Sequence, residues 1–569
     1  MQIRFASRAL SKYFVVLLVL SFTSSVFAHK PLVYLDQGWT KEQRQDFYET
    51  AQGSYLVPLS WFLSLEQVGA EEDHHGNYPL FSDHKNIRKF GYLVKRKQDG
   101  GMHDLPLGFA VESVENGDAW LGYTCAACHT NEIKYKGKTI RIDGAPTLAD
   151  LDGFVSHLYA TAIATVDDEE RFNRFSERVL GSHDSAESLA LYEALSAYAD
   201  KAEAYSIRNH SNVKYGYGRL DGFGRIMNEL FVDDLGVPES RFEPNAPVSY
   251  PFLWGTSDHD FVEWSGSTAN PLIRNVGEVL GVFGGVNLQD FSALGQNTAR
   301  VPELIKLENL VSILQPPQWP EAYFGEIDEQ KAAQGRVLYE QVRGDEPSCV
   351  SCHALKDESG QYPLTPAEEN FFGAQFVVTQ MTPLDKIGTD PAMALNFATR
   401  VVSTGSLGPV LPAPFTGATE LPAPLLLRIV TSLSVQTSLA ALDPPLSEAE
   451  TAAAIGYRLQ ADGSPYRPKN LLAYRARPLD GIWATAPYLH NGSVQNLHEL
   501  LKPAHKRKTS FYVGSNKFDP KRVGFKSKHK GNHFLLDTTI AGNSNAGHEY
   551  GVYLSKKEKR ALLEFLKTL

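Results

Sequence analysis

The chain has 569 residues, of which 43% are hydrophobic, 11% aromatic and 21% charged. Such a composition supplies a packed core and excludes a disordered chain, a collagen-like repeat and a multispanning membrane protein. With 55 basic and 66 acidic side chains the formal charge is −11, which argues against nucleic acid or anionic lipid as a global partner.

The first 28 residues read as an export signal. Arg4, Arg8 and Lys12 precede an apolar run from Tyr13 to Phe22, and Val26 and Ala28 stand at the −3 and −1 positions of a cleavage site. The run is too short for a membrane span, which needs about 20 apolar residues. The expectation is a chain cut before His29, periplasmic or secreted, with no transmembrane anchor.

The four cysteines fall into two copies of one pentapeptide, Cys125-Ala-Ala-Cys128-His129 and Cys349-Val-Ser-Cys352-His353. In an oxidising compartment four cysteines ordinarily suggest two disulfides, and zinc or thioredoxin-like redox chemistry also uses Cys-x-x-Cys. The histidine that follows each pair points elsewhere. Cys-x-x-Cys-His attaches c-type haem: two thiols add to the porphyrin vinyl groups and the adjacent imidazole reaches the iron. Two covalently bound haem c groups are therefore expected, with His129 and His353 as proximal iron ligands.

Between the motifs, Gln315-Pro-Pro-Gln-Trp-Pro320 reads as a boundary, dividing an N-terminal haem domain, 29–320, from a C-terminal cytochrome c-like domain, 321–569. Upstream of the second motif, Asp328–Val342 has Ala332, Val337, Leu338 and Val342 at helical spacing. Gly335 within it leaves room for another backbone to come close. The chain ends in a helix opened by the capping box Ser555/Glu558, with Ala561, Leu562, Phe565, Leu566 and Leu569 as its buried stripe. The excess over a cytochrome domain of roughly 100 residues lies mainly in 355–475. There Leu411-Pro-Ala-Pro and Leu421-Pro-Ala-Pro suggest ordered loops. The segments flanking the first motif also read as Gly-rich and aromatic-rich loops. The fold class expected is mainly α with extensive loops: two cytochrome c-like haem domains with large loop-rich insertions. Between Lys506 and Lys530 stand nine Lys or Arg residues and one acid, Asp519, a solvated loop or a docking face for an acidic redox partner.

From about Gly38 to Leu569 the chain resembles the rubber oxygenase A-like (RoxA-like) family of di-haem c-type cytochromes, itself related to bacterial di-haem cytochrome c peroxidases. The resemblance is carried by Phe47-Tyr-Glu-Thr-Ala-Gln-Gly-Ser54, Tyr217-Gly-Arg-Leu-Asp-Gly-Phe-Gly224, Glu263-Trp-Ser-Gly266, Asn270-Pro-Leu-Ile-Arg-Asn-Val-Gly-Glu278 and Gly388-Thr-Asp-Pro391. Its most specific parts are Arg477-Pro-Leu-Asp-Gly-Ile-Trp-Ala-Thr-Ala-Pro-Tyr-Leu-His-Asn-Gly-Ser493 and Gly542-Asn-Ser-Asn-Ala-Gly-His-Glu-Tyr-Gly551. The Tyr-Leu-His-Asn-Gly-Ser stretch also looks like the peroxidase branch, and the second of these two segments favours the oxygenase-like one.

The resemblance implies that His548 is the second axial ligand of the C-terminal haem, opposite His353, and that His490 is a pocket or propionate residue. Gly547 would let that loop approach the porphyrin, with Asn543 and Asn545 holding it by local hydrogen bonds. Peroxidase relatives use a later methionine, and here the last is Met393; Met381, Met393 and His490 are the other candidate ligands. For haem 1 the resemblance implies an exchangeable distal side that binds dioxygen in an apolar pocket, for which Phe252, Trp254 and Trp264 are candidates. His157, His183 and His210 read as structural, and Arg141, Arg274 and Arg477 as candidate propionate partners. Three functions fit this reading. One is an oxygenase cutting an apolar polyisoprene-type polymer, with haem 2 in electron transfer. The second is a peroxidase taking electrons from a small redox protein to reduce hydrogen peroxide, and the third is a non-enzymatic electron carrier.

Overall fold

The computed structural model describes residues 32–95, 105–114, 117–344, 346–466 and 470–569. The expected export signal and the cut before His29 lie outside the described residues. Helix is the commonest regular element among the described residues, with short strands and many loops.

The first motif is held between two small sheets. Ala119–Tyr123 is the middle strand of one, paired with Phe109–Ser113 and Val57–Pro58, and runs directly into the helical turn Cys125–Cys128. Thr130–Tyr135 leaves that turn and pairs antiparallel with Lys138–Asp143, which pairs parallel with Leu32–Tyr34. Lys136 and Gly137 both have positive φ, the two-residue turn that matches strand twist.

Three helices follow where loops were expected: Leu151–Val166, Glu169–Leu180 and Ala186–Arg208. Each is started by a side chain, Asp150, Asp168 or Ser185, accepting a main-chain N–H of the first turn. Phe154, Leu158, Phe175 and Leu195 bury their apolar faces. These capping residues were the overlooked signal.

The 355–475 insertion also departs from the loop reading. Leu421-Pro-Ala-Pro leads into an 18-residue helix, Ala423–Ala440, with Pro424 in the first turn. Proline is tolerated there because first-turn N–H groups have no helical partner. By length and composition this helix could cross a membrane, but Leu426, Val430 and Val435 are buried in a core shared with Pro271–Gly281.

Around the second motif, Glu329–Glu340 packs on Lys556–Leu566. The capping box of Ser555 and Glu558 is formed. The stripe on Glu329–Glu340 differs from the expected one. Ala332, Gly335 and Tyr339 are buried, whereas Val337 is 60% and Val342 62% exposed. The close approach of the helices makes glycine part of the buried face, and Val342 lies beyond the helix end. A Cβ on Gly335 would come within 2.1 Å of the Ala561 carbonyl oxygen, main chain that cannot step aside. Gly335→Ala is therefore expected to destabilise by about 2 kcal/mol despite alanine's helix propensity, read as a lowered Tm.

A single apolar core joins early and late segments. Trp39, Phe47, Trp254, Trp319, Trp483, Phe518 and Phe565 all belong to it. Trp319, within Gln315–Pro320, lies 5.5 Å from the Trp483 ring and donates its Nε1–H to the Gly325 carbonyl. The two motif regions are thus held in fixed relation by shared packing.

Candidate functional site

None of the four cysteines is in a disulfide. At the first motif the His129 N–H donates to the Cys125 carbonyl at 2.9 Å, closing the turn so that both thiols and the imidazole project from one short segment. A Cβ on Gly108 would meet the Ala127 nitrogen at 2.1 Å, so only glycine lets the Phe109 strand pack on this turn. The His129 Nδ1–H donates to the Pro251 carbonyl at 2.8 Å, which leaves Nε2 for a metal. Burial pushes the His129 pKa down to about 4, so the ring is neutral, the form that binds metals.

Cys125, Cys128 and His129 open on a cavity of about 470 Å³. Its apolar lining includes Ile226, Val248, Trp264, Val279, Met393 and Leu427. Phe397, Pro424, Leu425 and Leu471 close one wall, so the insertion in the C-terminal half completes the cavity of the N-terminal motif. The polar lining includes Glu263, Arg274, Glu278, Glu308 and Arg475. Arg274 pairs with Glu308 at 2.6 Å. Burial raises the pKa values of Glu263 and Glu278, Glu278 to about 8, so the Glu278 carboxyl favours its protonated form. Glu263 also has a left-handed φ of 65°, strain of the kind that collects at functional sites.

The second motif uses the same support. The His353 N–H donates to the Cys349 carbonyl at 2.8 Å, and the His353 Nδ1–H donates to the Arg477 carbonyl, also at 2.8 Å. Its ring faces that of His548, with centroids 6.2 Å apart and planes at 45°. Two imidazoles each about 2 Å from a shared metal have ring centres roughly 6 Å apart. Burial lowers the pKa of His353 and pushes that of His548 down to about 3.

The His548 loop is fixed by contacts distant in sequence. His548 has φ 48°, and its N–H donates to the Ile387 carbonyl at 2.8 Å. A Cβ on Gly547 would lie 2.2 Å from the Gly388 carbonyl carbon. Gly547 is thus required by the close approach of the Gly388-Thr389 main chain. The expected local hydrogen bonds are replaced by longer-range ones. Asn543 accepts from Arg219 at 2.8 Å and donates to the Asp537 carbonyl, and Asn545 donates to the Lys508 carbonyl at 2.7 Å. Arg507 donates to the carbonyls of Asn545, Gly547 and His548. It belongs to the basic run read as a solvated loop, yet is buried; its sequence context gives no sign of this. Asp390 accepts the N–H groups of Gly542 and Ser544 at 2.8 and 3.0 Å, and that of Ala392 at 2.9 Å. Asp390→Ala leaves buried donors unmatched and is expected to cost about 3 kcal/mol, measured by denaturant unfolding.

The other candidates are placed elsewhere. Phe252 and Trp254 do not line the cavity: they stack on each other at 4.7 Å in the core, because Trp254 donates its Nε1–H to the Asp480 carbonyl at 2.7 Å. Trp264 does line it and donates to the Ser249 carbonyl. His490 is stacked on Tyr474 at 4.0 Å, outside the cavity lining. The Met381 sulfur lies against Gly266, and Met393 lines the cavity of the first motif. Arg141 is buried in an ion pair with Glu132, and Arg477 donates to the Phe252 and Trp254 carbonyls; of the three arginines only Arg274 lines the cavity. His157 lies between Phe81 and Phe90, His183 pairs with Glu177, and His210 is exposed.

The donor set fits covalent haem: cysteines paired at turn spacing outside any disulfide, His129 and His353 supported through Nδ1, and a large apolar cavity beside the first motif. The buried Nδ1 of His548 has no hydrogen-bond partner among the described residues. Comparison with known proteins agrees with this chemistry. A family model described as RoxA-like, cytochrome c-like matches residues 473–512, the stretch that contains Arg477, His490 and Arg507. An uncharacterized Sinorhizobium fredii protein, y4iJ, is 31% identical over 95% of this chain and 93% of its own length. A second uncharacterized protein of that organism, y4iM, is 23% identical over 62% of this chain and 78% of its own length.

Proposed function

The chain belongs to the RoxA-like, cytochrome c-like family and is a cytochrome-type protein with covalently bound haem c, and from that premise we propose that it is an exported di-haem oxidoreductase that activates dioxygen at the first motif. The observation that carries this reading is the unequal finish of the two sites. His353 faces a second imidazole, whereas the ring that stands against His129 is the phenol of Tyr250, centroids 6.2 Å apart, beside an apolar cavity that haem would share. When bound, haem would supply a redox-active iron: Cys349, Cys352, His353 and His548 would hold one for electron exchange, and Cys125, Cys128 and His129 would hold the other for reaction with a small oxidant.

The residues around the first site divide the remaining work. Cys125 and Cys128 provide the covalent anchor, and the Pro251 carbonyl orients His129. Trp264, Leu425 and the other apolar side chains would enclose the haem and exclude water, surroundings that suit a hydrocarbon brought up beside it. A polyisoprene-type polymer oxidised by dioxygen is the reading that follows, with His353 and His548 holding the electron-transfer haem. Export to the periplasm or beyond agrees with a polymer substrate too large to enter a cell.

Glu278 favours a second reading. A buried carboxyl that holds its proton beside the first motif suits reduction of hydrogen peroxide, which consumes protons as well as electrons. A single pair of assays decides. Dioxygen uptake with formation of carbonyl end groups from polyisoprene supports the oxygenase; peroxide consumption coupled to oxidation of a small reduced cytochrome, without dioxygen uptake, supports the peroxidase.

A further inference from the structure

We propose that Arg477 is a positioning residue shared by both haem sites, so that the two proximal histidines are tuned together. The inference rests on the di-haem reading and adds a coupling between the sites.

The acceptors of the two histidine Nδ1–H groups are the carbonyls of Pro251 and Arg477, far apart in sequence and linked through one side chain. Arg477 Nη1 donates to the Phe252 carbonyl at 2.8 Å and Nη2 to the Trp254 carbonyl at 3.0 Å. Its guanidinium lies 3.5 Å from the centre of the Phe252 ring. A continuous path results: His129 Nδ1–H to the Pro251 carbonyl, along the chain to Phe252, across to the Arg477 fork, and through the Arg477 main chain to His353. Further contacts stiffen it. Trp254 Nε1–H donates to the Asp480 carbonyl, the Leu253 N–H to the Gly144 carbonyl and the Gly144 N–H to the His129 carbonyl.

The fork matters because it holds two carbonyls at once, which the single ammonium of lysine does not reproduce. Arg477 is buried, as are Phe252 and Trp254, so no water replaces a lost bond. The hydrogen bond on Nδ1 raises the basicity of a metal-bound imidazole and favours the oxidised metal. Loosening the Pro251 carbonyl weakens that support at His129, and loosening the Arg477 main chain weakens it at His353.

The test is potentiometric titration of the intact two-haem protein, followed optically at both centres, for wild type, Arg477→Lys, Phe252→Leu and Arg507→Lys. Arg477→Lys keeps the charge and is expected to raise both midpoint potentials. Phe252→Leu keeps the main-chain carbonyl, removes the stack, and is expected to raise both by less; it decides the matter if Arg477→Lys does not fold. Arg507→Lys, whose guanidinium bonds the His548 loop and the Leu500 and Lys502 carbonyls but no group of the Pro251–Arg477 path, is expected to move one midpoint. Movement of one midpoint or neither in Arg477→Lys, or in Phe252→Leu where that variant decides, would overturn the coupling. Haem content by pyridine haemochrome is measured on the same samples, so a wild-type protein with fewer than two haems contradicts the di-haem reading separately.

Discussion

His548→Ala is expected to remove one of two low-spin haem signals and replace it with a high-spin, five-coordinate one, leaving the other centre unchanged. The geometry behind this is direct. The His353 and His548 rings are 6.2 Å apart, the separation two imidazoles take when they share a metal, and both are driven to the neutral, ligating form by burial. The other candidate ligands are engaged elsewhere: His490 is stacked on Tyr474 and Met381 lies against Gly266. The loop is braced by Arg507, Asp390 and the Gly547–Gly388 contact, so removing the imidazole leaves the surrounding main chain in place. Electron paramagnetic resonance of the oxidised protein reads the change. Retention of both low-spin signals, unaltered, would reject His548 as a ligand.

Replacing both Cys125 and Cys128 by alanine is expected to lower haem content by one per chain and to abolish turnover, while the spectrum of the His353–His548 centre persists. The first motif carries the cavity, and the second site is organised by contacts of 387–390 and 507 with 542–548 that do not involve the Cys125–Cys128 turn. Haem content is read from the mass of the denatured protein. Full turnover with a single remaining haem would move the reaction to the second motif.

These assignments differ in how far the sequence revealed them. Cys-x-x-Cys-His is local chemistry, so both motifs and His129 and His353 were legible at once. The capped C-terminal helix was equally legible, because Ser555 and Glu558 sit three residues apart. Residues joined only by the fold were not. The carbonyls of Pro251 and Arg477 carry no side-chain signal, and Arg507 is hidden among exposed lysines. The wall that the 423–440 helix adds to the first cavity was missed because proline was read as a loop marker where it opens a helix. Phe252 and Trp254 went astray for a related reason: aromatic residues mark apolar surroundings without telling a cavity from a core.

The central claim is that one haem is open and the other closed, and titration of the dithionite-reduced protein with carbon monoxide tests it most directly. The account predicts saturation at one carbon monoxide per chain, with two haems per chain by pyridine haemochrome. Uptake of two per chain, or none, would contradict it.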